Sequence, residues 1–207
     1  MRDIKIKVCG IRNIDIANHC VLEGAQFLGF VFYENSPRYV SLKSAGKILS
    51  HLNNLVQKVA VLKDPSDELV LSVADLPFDY LQIHGSISLP GLENIKNLSR
   101  GKKIIKAFNV KDRNDINKLK TFENICDFYL FDSQSSGSGN TFNWDILKNV
   151  DIGKDYFISG GINIENIGDA SNKINTNFWD LSSGLEVEKG VKDKKLITNF
   201  FKSIRKL

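Results

Sequence analysis

The residues in this chain that could do chemistry stand at the ends of short apolar runs. Cys9 closes the run Ile4-Lys5-Ile6-Lys7-Val8 and is followed by Gly10. Gln82 and His84 end the run that starts at Tyr80, and Asp132 ends Phe128-Tyr129-Leu130-Phe131. Ser159-Gly160-Gly161 follows Tyr156-Phe157-Ile158, and Asp180, Ser182, Ser183 and Gly184 follow Phe178-Trp179. A thiolate at Cys9 can serve as base or nucleophile if a positive field lowers its pKa from about 8.5. The bland alternative is a buried, inert cysteine, the reading that suits Cys20 and Cys126. A carboxylate that ends an apolar strand is costly unless partnered or functional, so Asp132 is a candidate acid; a loop-capping aspartate is the alternative. His84 reads equally as a base or as a satisfied structural histidine. No His/Asp/Glu trio stands at metal-ligand spacing, so neither metal nor cofactor is expected.

The two glycine-rich, serine-bearing stretches place backbone N–H groups where something must approach closely. Gly160-Gly161 alone reads equally as a tight turn. Together with Ser182-Ser183-Gly184 it favours phosphate binding, because barrels commonly hold phosphate after strands seven and eight.

Eight strands are needed to carry these residues. The candidates are 4–8, 27–32, 57–62, 80–83, 103–107, 127–131, 156–159 and 178–181, rich in Val, Ile, Phe and Tyr. Most are nearly continuous apolar runs, as in strands buried on both faces. Helical spacing fills the gaps between them. Asn13, Ser41 and Ser66 can cap the first three helices, and Gly24 ends the first. Residues 88–99 and 112–121 carry weaker patterns, 144–149 a short one; Asn163 caps the seventh helix, and the last runs from about Asp193 to Arg205. Strands alternating with helices predict a parallel sheet. Eight near-equal units without a G-x-G-x-x-G predict closure into one (β/α)8 TIM barrel over 1–207 rather than an open doubly wound sheet. The active site of such a barrel lies at the C-terminal ends of its strands, which is where the reactive residues collect.

Composition agrees with this. The chain has 207 residues, 42% hydrophobic and 25% charged, with a formal charge of +4. The lysines are dispersed, which suits a solvated surface or an anionic small molecule. An aromatic-interleaved basic motif is missing, which argues against nucleic acid. Three cysteines without a C-x-x-C pair fit a reducing compartment. The N-terminus has no apolar h-region and no run approaches a membrane span, so a cytoplasmic protein is expected, as monomer or homodimer.

Several segments resemble the phosphoribosylanthranilate isomerase family, in that family's order and over essentially the whole chain. They are Lys7-Val8-Cys9-Gly10-Ile11, Gly29 to Tyr33 with Ser36 to Val40, Leu81 to Gly85, Gly139 to Trp144, Ser159 to Asn163 and Asp180 to Gly184. The resemblance implies a cofactor-free barrel of tryptophan biosynthesis that performs an Amadori rearrangement. By resemblance Cys9 is the general base, Asp132 the general acid and Arg38 the partner of the anthranilate carboxylate. Gly160, Gly161, Ser182, Ser183 and Gly184 match the phosphate loops, and Gln82, His84 and Asp180 match substrate-side positions. Two departures stand out: Asn140 where the family often carries lysine, and Lys63-Asp64 where it is usually more apolar. Other phosphoribosyl isomerase barrels use two aspartates, against which Cys9 argues. A non-catalytic barrel that binds a phosphorylated ligand needs neither Cys9 nor Asp132.

Overall fold

The computed structural model describes residues 3–52, 54, 56–133, 141–148 and 150–207. The Ser135–Gly139 stretch, Asn140 and the start of the Gly139–Trp144 segment lie outside them. Eight parallel strands close into a barrel in chain order: β1 (Lys5–Cys9), β2 (Phe27–Val31), β3 (Gln57–Lys63), β4 (Tyr80–His84), β5 (Lys103–Val110), β6 (Phe128–Ser133), β7 (Tyr156–Ile158) and β8 (Phe178–Leu181). β1 pairs with β8 through Lys7↔Asp180 and with β2 through Cys9↔Gly29, which completes the ring.

Helices surround it: α1 (Ile14–Glu23), α2 (Leu42–Leu49), α3 (Asp67–Ala74), α4 (Leu89–Leu98), α5 (Arg113–Asn117), α6 (Leu119–Phe122), α7 (Ile167–Lys173) and α8 (Lys194–Ile204). The side chains of Asn13, Ser41, Ser66 and Asp193 each accept a backbone N–H at the start of α1, α2, α3 and α8. Gly24 closes α1 in the left-handed region. None of these helices is long and apolar enough to cross a membrane.

Five details differ from expectation. Strands β3 to β6 run one to three residues further into the mouth, because ladder hydrogen bonds continue where the side-chain pattern turns polar. The helix expected over 112–121 breaks at Lys118, where the Tyr129 hydroxyl donates to the Leu119 carbonyl at 3.1 Å. Residues 144–149 hold a 3₁₀ turn, Trp144–Leu147. Asn163 Oδ1 accepts from the Glu165 and Asn166 amides and so caps a turn ahead of α7, which starts at Ile167. An unexpected hairpin follows the last barrel strand: β9 (Glu186–Glu188) and β10 (Val191–Lys192).

The barrel interior has a dry end and a polar end. Phe27, Tyr80, Phe128, Phe157 and Phe178 meet edge-on or tilted at its N-terminal end, with centroids 5.1–6.2 Å apart. Such pairs add about 0.5–1.5 kcal/mol each beyond the area they bury. Side chains of a strand alternate between inside and outside, so the same parity that buries these rings aims Cys9, Gln82, His84, Asp132 and Asp180 at the opposite mouth.

Candidate active site

At that mouth a cavity of about 580 Å³ opens, lined by Cys9, Arg38, Gln82, His84, Asp132, Asp180 and Ser182 among others. Seven of the eleven residues singled out from the sequence therefore meet in one place. Gly160, Gly161, Ser183 and Gly184 stand beside the cavity, in the loops after β7 and β8. A cavity of about 690 Å³ opens at the other end of the barrel, around Lys154, Lys173 and Asn175. It is larger, but it lies at the strands' N-terminal ends, away from every reactive residue named above. Among the described residues, no three His, Cys, Asp or Glu side chains gather to hold a metal ion.

Cys9 is the last residue of β1 and is buried. Its sulfur has room because residue 29 is glycine: a Cβ there would lie 2.9 Å from Sγ and 3.2 Å from Lys7 Nζ. Lys7, fully buried two residues upstream on the same face, binds Asp180 Oδ1 at 2.9 Å. Burial opposes the charge of Lys7, but Asp180 and the Cys9 sulfur outweigh it and raise the lysine's pKa. The positive field expected at Cys9 is thus present, from Lys7 first and then Lys192 and Arg38. It does not win, however: burial pushes the thiol above its usual value.

Asp132, the penultimate residue of β6, is 5% exposed and accepts the Ser133 amide at 2.8 Å. Gly160 packs against it; a Cβ there would stand 2.9 Å from Oδ1 and 2.8 Å from the Ser133 nitrogen. With φ at +82°, Gly160 also occupies a region that other residues adopt with strain. This glycine therefore makes space for the carboxylate. Gly184 plays a similar spatial part, its Cα lying against the backbone of Ile162 and Asn163, so the two glycine loops touch back to back.

Gln82 and His84 face each other, Gln82 Nε2 and His84 Nε2 lying 2.6 Å apart, with the direction of the hydrogen bond set by the imidazole tautomer. Gln82 Oε1 is buried without a partner among the described residues. Burial lowers the His84 pKa to about 3, aided by the Lys7, Lys106 and Lys63 ammonium groups. A neutral His84 is a hydrogen-bonding group here and not a charge switch. Its ring resonances should stay put between about pH 8 and pH 5 in an NMR titration. A midpoint near the ordinary value of about 6.5 would show that the imidazole is solvated and this account wrong.

Arg38 is held in the loop after β2 and forms two parallel bonds to Glu186 of β9, Nε to Oε1 and Nη2 to Oε2, both 2.8 Å. Ser182 donates to the Cys9 carbonyl at 3.1 Å and receives Lys192 Nζ at 3.4 Å. Lys7 as a group in its own right does not stand out in the sequence, nor do Asn109, Glu186 and Lys192. Lys7 was findable, being a lysine on the inward parity of an apolar strand. Lys63, the departure noted above, has its ammonium 4.8 Å from the Tyr33 ring centroid at the cavity wall.

The whole chain has known relatives. A family model described as N-(5'phosphoribosyl)anthranilate (PRA) isomerase matches residues 6–203. The N-(5'-phosphoribosyl)anthranilate isomerase of Rhizobium leguminosarum bv. trifolii is 36% identical, over 96% of this chain and 93% of that one. The crystal structure of phosphoribosyl anthranilate isomerase from Thermotoga maritima superposes with a TM-score of 0.88 at 31% identity, covering 99% of this chain and all of the other (100%). A phosphoribosyl anthranilate isomerase in complex with reduced 1-(o-carboxyphenylamino)-1-deoxyribulose 5-phosphate superposes with a TM-score of 0.86 at 30% identity, covering 99% of this chain and 100% of that chain.

Proposed function

The chain belongs to the phosphoribosylanthranilate isomerase family, and from that premise we propose how its own residues run the reaction. The conversion takes N-(5-phosphoribosyl)anthranilate to 1-(2-carboxyphenylamino)-1-deoxyribulose 5-phosphate, an Amadori rearrangement. The observation that carries the assignment of roles is the meeting of one thiol and one carboxyl group, Cys9 of β1 and Asp132 of β6, in the lining of one cavity.

Asp132 protonates the furanose ring oxygen, and the C1–O bond breaks to leave an iminium at C1. Cys9, as thiolate, removes the proton from C2, giving an enolamine. The enol then loses its hydroxyl proton while C1 gains one. C1 ends reduced and C2 ends oxidised to a ketone within the same molecule, so the step needs no external oxidant, reductant or cofactor. Lys7, tied to Asp180, supplies the nearest positive charge to the thiolate. Arg38 holds the anthranilate carboxylate. The Gly160-Gly161 and Ser182-Ser183-Gly184 loops hold the phosphate, whose binding energy is remote from the reacting carbons.

We read residues 1–207 as one catalytic domain that works in the reducing cytosol, where Cys9, Cys20 and Cys126, all free and buried, stay reduced. The test is direct: the purified protein should extinguish the fluorescence of phosphoribosylanthranilate without added metal or cofactor. If fluorescence persists with folded protein, the assignment is wrong.

A further inference from the structure

The mechanism above leaves Glu186 unused, although it is one of the most firmly held carboxylates in the molecule. Its side chain is 3% exposed. Besides the two bonds from Arg38 it accepts Lys192 Nζ, and the Gly190 amide at 3.1 Å. Burial pushes its carboxyl up, but the Arg38 hydrogen bonds and the Lys192 charge outweigh that and hold it at about 2. The hairpin delivers these partners: Lys192 pairs across from Glu186, and Arg12 ties the hairpin to the Arg38 loop by donating to the Pro37 and Gly190 carbonyls at 3.2 and 3.3 Å.

We propose that Glu186 is a positioning residue for the substrate's aromatic carboxylate: it occupies one fork of the Arg38 guanidinium so that only the other fork meets the ligand. The inference rests on the reading of Arg38 given above. A guanidinium presents five N–H groups in a rigid plane. Nε and one Nη2 hydrogen form the side fork, which Glu186 fills. Nη1 and the second Nη2 hydrogen form the end fork, the remaining place for a second bidentate carboxylate. Two cations around one buried anion leave the group net positive, so Glu186 fixes Arg38 without cancelling its attraction for an anion. A side chain already fixed loses less freedom when the ligand arrives.

The test compares wild type with Glu186→Gln, Glu186→Ala and Arg38→Met. Affinity is measured by calorimetry for reduced 1-(o-carboxyphenylamino)-1-deoxyribulose 5-phosphate and for its counterpart lacking the carboxylate. Arg38→Met should weaken the first ligand about 10- to 100-fold, the size of a charge-assisted hydrogen bond, and leave the second unchanged. Glu186→Gln, which keeps the shape of the side chain, should show the same selectivity at about tenfold, with KM raised and kcat within about threefold. Equal weakening of both ligands by the Glu186 variants, or wild-type affinity in both, would overturn the inference while the Arg38 reading stands. If Arg38→Met itself shows no selectivity, that reading fails and the inference with it.

Discussion

Asp132→Asn should lower kcat by about 10²–10⁴ with little change in stability, the usual contribution of a positioned acid or base. The substitution is nearly isosteric. The asparagine oxygen can still accept the Ser133 amide that Asp132 accepts at 2.8 Å, and the space beside Gly160 is unaltered. What is lost is the proton that the ring oxygen needs as its bond to C1 breaks. Without it the furanose stays closed and Cys9 has no acidified C2 proton to remove. The loss should therefore fall on kcat, while the affinity for the reduced, already open product analogue stays close to wild type. Thermal denaturation and single-turnover fluorescence decay together decide the matter. Near wild-type turnover by a folded Asp132→Asn enzyme removes this residue from the mechanism.

The barrel was legible in the sequence because its signals are local. Each helix start expected from Asn13, Ser41 or Ser66 is capped by that residue, and eight apolar runs at similar spacing are the eight strands. Reactive residues at run ends became a site because parallel strands in a ring all point the same way. The features that escaped depend on partners far along the chain. Lys7 carries one local mark, its place on the inward parity of an apolar strand, but its partner Asp180 comes from 173 positions away. Arg38 and Glu186 are 148 positions apart, and neither announces the other. Gly29 looks like a flaw in an apolar strand; its reason is the Cys9 sulfur across the ladder. The hairpin of β9 and β10 is too short for a pattern, and its turn at Gly190 was its only mark.

Cys9→Ala should lose about 10²–10⁴ in rate, comparable to Asp132→Asn, and pH sharpens the test. Only the thiolate can take the C2 proton. Burial raises the Cys9 pKa above the usual thiol value despite Lys7, Lys192 and Arg38. The thiol is therefore the resting form at neutral pH, and the thiolate fraction grows as pH rises toward the Cys9 pKa. The sign follows for the thiol alone, because turnover also needs Asp132 to keep its proton as the pH rises: the thiolate fraction of Cys9 grows with pH, and Cys9→Ala has none. A thiol alkylating agent should inactivate the enzyme faster at higher pH, and the bound product analogue should protect it by filling the cavity that Cys9 lines. Cys20 and Cys126 provide the control. Both are buried in packing positions, and burial pushes both thiols up to about 12. Their alanine variants should change stability alone, since each removes a packed sulfur and no reactive group. Alkylation that does not quicken as the pH rises, or full activity in Cys9→Ala, would mean that another group removes the C2 proton.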